Sequence, residues 1–329
     1  MTTYILRRLL LLIPTLVGIT LLTYLLVRAA PGNAALIRGG GGALGGHAMT
    51  AEAREQITKL LGLDKPPIVA YGDWLWHLLH LDLGQSFVDH RPVADKIRER
   101  LPLTLTLMGS SLVLSYLIAI PLGVAAAIKR GQALDRTISF VVFLLYSIPS
   151  FAMALMLILL VAGGDYLNLL PMYGITSINA SDMSFFPRLW DRIQHMILPV
   201  FCLTYGTLAS ISRYSRVSML DALGQDFIRT ARAKGLPERL VLFRHALRNA
   251  LIPIITIFAL DLPSLVGGAI IIEGIFSLPG LGQLIFMSLD AQDIPTIMGI
   301  TLVAAVVTLF SYLLADILYV VVDPRITYE

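Results

Sequence analysis

The residues of this chain that could do chemistry are few, and their spacing is not typical of an enzyme. The motifs HExxH, GxSxG and GxxxxGK[ST] do not occur in the sequence, and no Cys and His pair has the spacing of metal ligands. Cys202 is the one cysteine, and it lies within an apolar run where a small buried side chain is typical. We therefore predict no catalytic residue, no metal site and no cofactor bound by this chain.

One carboxylate, Asp261, interrupts an apolar run at residues 249–272. An acid inside a bilayer costs about 2.5–3.5 kcal/mol on insertion scales, so it usually faces a cavity or a partner. Asp261 is accordingly a candidate for lining a transport path. Two alternatives stay open: Asp261 is a structural acceptor beside a helix broken at Pro263, or it lies nearer the membrane surface.

A basic stretch, RTARAKGLPERLVLFRHALRNALIP, occupies residues 229–253. Gly235 tolerates the left-handed conformation that ends one helix, and Pro237 suits the first turn of the next. After this turn an apolar stripe with 4-3-4 spacing predicts a short amphipathic helix; the stripe is Leu236, Leu240, Phe243 and Leu247. Such a helix lies in lipid headgroups or inserts into a groove on another protein, and the residues alone do not decide between these.

Membrane-spanning helices must position these residues. The 329 residues are 56% hydrophobic and 14% charged, whereas soluble proteins carry about 25% charged residues. A bilayer requires about 20 apolar helical residues, so the chain is predicted to be an all-α polytopic membrane protein with six transmembrane helices. The runs are residues 9–27, 101–128, 137–164, 195–212, 249–272 and 294–315. Pro121, Pro149 and Pro199 are expected to bend their helices.

The distribution of basic residues predicts the orientation of the chain. Residues 213–248 contain eight Lys or Arg and three acids, whereas residues 273–293 contain three acids and no base. Since basic loops stay in the cytoplasm, the stretch around Gly235 and both termini are predicted to be cytoplasmic. The predicted division is an N-terminal transmembrane helix (1–28), an extracytoplasmic helical segment (29–100) and a five-helix core (101–329) with a cytoplasmic loop at 213–249.

The extracytoplasmic segment has three predicted parts: a flexible glycine-rich linker at 39–46, a helix capped by Thr50, and an amphipathic helix over residues 68–81. Trp74 and Trp76 lie on the last of these. They either anchor the helix at the membrane interface or form a docking surface for a soluble partner, and both interpretations stay open.

The segment ARAKGLPERLVLFRHALRNALIP (231–253) closely resembles the cytoplasmic signature loop of bacterial ABC-importer permeases, in the version carried by dipeptide and oligopeptide permeases. Other segments resembling this group are LRRLLLLIPTLVGITLLTYLLVRAAPG (6–32), EGIFSLPGLGQL (273–284) and DILYVVVDPRI (316–326). The general family has Glu-Ala-Ala where this chain has Arg229, Thr230 and Ala231, a departure that the peptide-type members share.

The resemblance implies the permease subunit of an ATP-driven peptide importer in the bacterial cytoplasmic (inner) membrane. Its implied partners are the lipid bilayer, a second homologous permease subunit, two ATPase subunits that carry ATP and Mg, and an extracytoplasmic peptide-binding protein. No nucleic-acid partner is expected.

The resemblance also implies roles for single residues. The signature loop would be a coupling helix seated in a cleft of the ATPase subunit, with Ala231 and Gly235 at its turn. The four apolar stripe residues would form the insert, and a basic rim would surround it: Arg232, Lys234, Arg239, Arg244 and Arg248. In such a permease, Asp261 is the candidate for lining the substrate path, and Trp74 and Trp76 are candidates for contacting the binding protein, each beside the alternatives given above. Glu273 is a further candidate for that contact, because it opens the family-like segment at 273–284.

Two other classes of function fit the sequence less well. A secondary transporter or channel using Asp261 would need further ionisable residues in its spans, and no repeat between the two halves supports it. A structural or signalling scaffold would not need the turn around Gly235.

Overall fold

The computed structural model describes residues 2–29, 65–162 and 166–322, which are mostly helical. Within those ranges, an isolated bridge between Gln85 and Pro92 is the one β-type pairing. The glycine-rich stretch at 39–46 and the helix predicted after Thr50 lie outside the described residues.

The helices follow one another with short connections. They are α1 (Thr2–Ala29), α2 (Pro67–Leu79), α3 (Val93–Ile128), α4 (Ala133–Ser147), α5 (Ser150–Leu157), α6 (Phe185–Leu223), α7 (Asp226–Ala233), α8 (Glu238–Leu240), α9 (Leu247–Asp261), α10 (Ser264–Gly267), α11 (Ile270–Ile275), α12 (Leu281–Asp290) and α13 (Ile294–Val322). A π-helix, Ile158–Ala162, continues α5, and a second one, Val241–Ala246, joins α8 to α9. A 3-10 turn at Ala180–Asp182 precedes α6.

Membrane-spanning length is reached by four helical stretches of the described residues: Val93–Ile128, Phe185–Leu223, Glu238–Ile275 and Ile294–Leu314. The bent pair of α4 with α5 brings the number to five when it is counted as one span. The apolar part of α1, Leu10–Leu26, is shorter. The all-α polytopic architecture is confirmed, and the total of six spans stays a prediction.

Backbone contacts divide the chain into two compact units. One comprises Met1–Arg100 with Leu284–Leu309, and the other comprises Leu101–Gln283 with Phe310–Glu329. The division into 1–28, 29–100 and 101–329 expected from sequence stays a prediction.

In the first unit, a buried carboxylate joins the loop before α3 to the start of α13. Asp293 accepts hydrogen bonds from the Ser86 hydroxyl (2.6 Å), the Phe87 backbone N–H (2.9 Å) and the Thr296 hydroxyl (2.6 Å). The Lys96 Nζ lies 3.5 Å from the same carboxylate. A buried charge is costly unless it is paired and hydrogen-bonded. These contacts therefore offset the cost of burying Asp293.

In the second unit, Pro149 breaks the third predicted span instead of bending it gently. Helices α4 and α5 meet at 91°, because a proline disfavours the helical conformation of the residue before it. That residue, Ile148, is extended (φ −95°, ψ 120°). Its carbonyl accepts a hydrogen bond from the Tyr205 hydroxyl on α6 at 2.7 Å. Pro121 and Pro199 lie inside the continuous helices α3 and α6.

Close packing of α3 against α6 depends on Gly123. A Cβ at this position would lie 2.5 Å from the Ser215 Cβ and 2.9 Å from the Arg216 backbone N, and closer still to the Ser212 carbonyl oxygen. Small residues allow transmembrane helices to approach closely, so Gly123 sets the separation of these two helices.

We predict that Gly123→Ala lowers the melting temperature of the detergent-solubilised protein, because overpacking costs about 1–3 kcal/mol. Gly109→Ala is the matched control, since Gly109 lies on the same helix and a Cβ there would meet no heavy atom within 4 Å. Both substitutions gain the same helix propensity, so their difference measures crowding. Equal melting temperatures for the two variants would contradict the role of Gly123.

Candidate functional site

Helix α7 is short and has one buried face. It begins at Asp226, whose carboxylate suits the positive end of the helix dipole. It ends at Ala233 and is followed by Gly235 with φ +74°. The Gly235 N–H donates to the Arg232 carbonyl at 2.9 Å. The left-handed glycine predicted from sequence is therefore confirmed as the end of a helix.

The helix that follows does not have the predicted extent. A short helix was expected over the stripe from Leu236 to Leu247. The chain instead becomes helical at Glu238, passes through the π-helix Val241–Ala246 and continues as α9 to Asp261 without a turn. The prediction was wrong because the apolar residues after Leu247 extend the same helix into a span. The short helix between two turns is α7.

The apolar stripe also divides differently from the prediction. Leu236 and Leu247 pack against a buried cluster within the chain, and Leu240 is partly buried. Phe243 is 54% exposed. A π-helix turn contains an additional residue and so changes which side chains share a face. Of the four residues expected to form an insert, Phe243 alone is exposed.

The buried cluster, which we call the α7 cluster, joins α7 to three longer helices. Ile228 and Ala231 are the buried residues of α7. The other helices contribute Val124 and Ala127 from α3, Met219 and Ala222 from α6, Val241 and Ala246 from the π-helix before α9, and Ala250 from α9 itself. Ile228, Met219 and Val241 are completely buried. A displacement of α7 therefore displaces its partners, because packed interiors have low compressibility.

The basic residues of this loop are not equivalent. Arg232 forms two hydrogen bonds to Glu238, at 3.1 and 2.6 Å, across the turn at Gly235. Its hydrogen bond with Glu238 raises the pKa of Arg232. Lys234, Arg239 and Arg244 are exposed. Arg232 thus bridges the turn, although it was expected to have the same rim role as the other four basic residues.

Asp261 lies at the end of α9, where it borders a cavity of about 520 Å³. Its Oδ2 accepts a hydrogen bond from the Tyr116 hydroxyl on α3 at 2.7 Å. Helix α6 contributes much of the lining, including Tyr205, Thr207 and Ser210. The candidate path residue and the middle of α6 therefore border one cavity.

Glu273 is not a surface residue. Its side chain is completely buried and accepts hydrogen bonds from the Thr104 hydroxyl (3.2 Å), the Ala269 N–H (3.2 Å) and the Gln283 N–H (2.8 Å). The expectation that Glu273 contacts a binding protein was wrong. The segment after α11 folds back over this carboxylate, so it is enclosed by its own loop.

The two tryptophans of α2 have different surroundings. Trp74 packs with Tyr24 and Tyr71, at ring-centroid distances of 6.1 and 6.2 Å. Trp76 is 64% exposed and lies 4.6 Å from the His80 ring. Trp76 stays a predicted contact residue, whereas Trp74 belongs to an aromatic cluster within the chain.

An ion pair that sequence reasoning did not identify links the first turn of α4 to α6. Arg216 donates to both carboxylate oxygens of Asp135, at 2.7 and 2.9 Å, and the Gly131 N–H donates to the same carboxylate at 2.9 Å. Asp135 is 4% exposed. The available signal was that Asp135 is the one acid in the basic loop at 129–136.

Comparison with known proteins identifies the family. A model described as the binding-protein-dependent transport system inner membrane component matches residues 119–328, and a second model for the N-terminal part of such components matches residues 1–108. This chain belongs to that family. The resemblance found in the sequence is confirmed, and a secondary transporter or channel is not favoured.

Relatives that match over their full length support the same family assignment. The chain is 42% identical to the oligopeptide transport system permease protein AppB of Bacillus subtilis and covers all of both chains. It is 39% identical to the dipeptide transport system permease protein DppB of Escherichia coli, again with full coverage of both. A solved structure of the inward-facing MetNI methionine ABC transporter matches with a TM-score of 0.50 at 18% identity, over 69% of this chain and 96% of that one, which supports the fold.

As a member of this family the chain is a multi-pass inner membrane protein. Permease subunits of ABC importers do not themselves hydrolyse ATP, and they are a family without a cofactor of their own. The loop with α7 lies within residues 119–328, which the family model covers.

Proposed function

We propose that this chain is the permease subunit of an ATP-driven importer that moves peptides across the bacterial inner membrane. The peptide class is supported by the oligopeptide and dipeptide permeases that match over their whole length. The proposed assembly contains a second homologous permease, two ATPase subunits that carry ATP and Mg, and an extracytoplasmic peptide-binding protein. Both termini and α7 lie in the cytoplasm in this proposal, as the charge distribution predicts.

Coupling to the ATPase is proposed to act through α7 and the turn at Gly235. The observation that carries this proposal is the position of the α7 cluster, which contacts α6 and the helix leading into α9. Those same two helices border the cavity through residues such as Tyr205 and Asp261. Movement of α7 by an ATPase subunit would therefore be transmitted to the cavity wall by two continuous helices.

The surface proposed to meet the ATPase is the exposed side of this loop. It combines the aromatic ring of Phe243 with three exposed cations, Lys234, Arg239 and Arg244. An apolar anchor surrounded by charges is typical of a helix or turn that docks in a groove. Leu236 and Leu247 contribute indirectly, by fixing the loop onto the α7 cluster.

The proposed function is tested by uptake in a strain that lacks this chain. We expect the deletion to abolish uptake of labelled peptides of defined length and the plasmid-borne chain to restore it in an ATP-dependent manner. The detergent-solubilised chain should copurify with an ATPase subunit and a second permease. Transport by the purified chain alone, without ATP, would instead support a secondary transporter or channel.

A further inference from the structure

The cavity bordered by Asp261 has an unusual balance of charge. The described residues that line it include the hydroxyl side chains Ser150, Thr207 and Ser210, together with aromatic and aliphatic groups. Asp261 is the one carboxylate among these lining residues, and none of them is Lys, Arg or His. Its volume of about 520 Å³ falls in the range of roughly 300–1,000 Å³ typical of small-molecule sites.

Asp261 is positioned without being neutralised by an ion pair. The Tyr116 hydroxyl occupies one lone-pair site on Oδ2, and a carboxylate offers about four such sites. Tyr116 is itself fixed by a perpendicular contact with the Phe258 ring at 5.1 Å. None of the salt bridges among the described residues uses Asp261. The carboxylate thus has free acceptor capacity beside the cavity.

We infer that Asp261 binds the terminal ammonium group of a peptide during its passage through the cavity. This inference rests on the proposed function, and it names the chemical group of the substrate that Asp261 would bind. A free α-amino group has a pKa of about 7.7–8.0 and is largely charged at neutral pH. Every unblocked peptide carries this group whatever its side chains, so one carboxylate selects for peptides without selecting for sequence. The lining residues include no cation that would bind the carboxylate at the opposite end of the peptide.

The test measures occupation of the cavity directly, without relying on the binding protein. The reconstituted transporter contains this chain with Cys202→Ala, which removes its one thiol, and Ser210→Cys, which introduces a thiol at the cavity lining. The rate of modification by a small thiol reagent is measured against the concentration of trialanine, N-acetyl-trialanine or trialanine amide. We expect trialanine and its amide to protect at similar concentrations and the acetylated peptide to require at least ~10-fold more, as expected for loss of one charge-assisted contact.

Two variants separate charge recognition from a structural role. Asp261→Asn preserves the shape of the side chain and its acceptor for the Tyr116 hydroxyl but removes the charge, so we expect it to abolish the difference between free and acetylated trialanine. Tyr116→Phe removes the hydroxyl and retains the carboxylate, so that difference should persist. A merely structural role for Asp261 would instead make the two variants behave alike.

The outcomes distinguish this inference from the proposed function. The ammonium site would be overturned by any of three results. These are equal protection by free and acetylated trialanine when Asp261 and Tyr116 are unchanged, no protection by any form, or retained discrimination in Asp261→Asn. ATP-dependent uptake of trialanine by the same preparation would leave the importer function intact in all three cases. Failure of uptake with its binding protein and ATP present would count against the function itself.

Discussion

Gly235→Val is expected to reduce peptide uptake at least ~10-fold while ATP hydrolysis by the assembled transporter persists. Gly235 has φ +74°, and an L-residue in this left-handed region costs roughly 1–2 kcal/mol, with β-branched residues the least suited. A Cβ at Gly235 would meet no atom within 4 Å, so the cost lies in the backbone. The turn that positions α7 relative to α8 should open. Movement of the ATPase subunit would then no longer be transmitted through α7 to the cavity wall. Uptake and ATPase activity are measured on the same proteoliposomes.

Two controls isolate the turn from general destabilisation. Gly235→Asn should retain most of the uptake, because Asn tolerates the left-handed conformation. Gly131→Val carries the same backbone cost, since Gly131 has φ +76° and open space around it, but it lies in the α3–α4 loop. Gly131→Val should therefore lower the melting temperature without uncoupling. Full uptake by Gly235→Val at normal membrane abundance would refute the coupling role of this turn.

Glu273→Ala is expected to produce the largest loss of stability, with a strongly lowered melting temperature in detergent. Removing the carboxylate leaves the Ala269 N–H, the Gln283 N–H and the Thr104 hydroxyl without their acceptor. An unsatisfied buried group costs about 1–3 kcal/mol, so the combined effect should be about 3 kcal/mol or more. Glu273→Gln should be intermediate, because it keeps one acceptor oxygen and places an amide N–H₂ against a donor.

A pair of glycines provides an independent check on this enclosed carboxylate. A Cβ at Gly280 would lie 2.5 Å from the Glu273 Cδ, whereas one at Gly274 would meet no atom within 4 Å. Gly280→Ala should therefore destabilise the protein, and Gly274→Ala should be nearly neutral. Wild-type melting temperatures for both Glu273→Ala and Gly280→Ala would show that the loop does not close over Glu273.

The features that local chemistry determines were predictable from the sequence. Long apolar runs predicted helices because a bilayer offers no partner for an unpaired backbone group. The glycine at 235 and the proline at 237 predicted a helix end and a helix start, and the structure has α7 ending just before Gly235 and α8 beginning at Glu238. Sequence segments also identified the family of permeases, which the comparisons confirm.

Contacts between distant segments were not predictable from the sequence. Glu273 is enclosed partly by Thr104, which lies 169 positions away in the chain, so its burial left no local signal. The stripe from Leu236 to Leu247 has the period of an isolated helix, but a π-helix and the α7 cluster decide which side chains face outward. Periodicity predicts that a helix has an apolar face and does not identify what covers that face.

The sequence by itself therefore determined the helical membrane architecture, the turn at Gly235 and the membership of the permease family, since each depends on local backbone preference or on short segments. The tertiary structure alone decided that α7 is the short helix beside that turn and that Phe243 is the exposed residue of the apolar stripe. It also decided that Glu273 is buried and that Asp261 borders a cavity and accepts a hydrogen bond from Tyr116. Each of these depends on residues far apart in the chain that meet by packing, and packing energy has no signature in a single stretch of sequence.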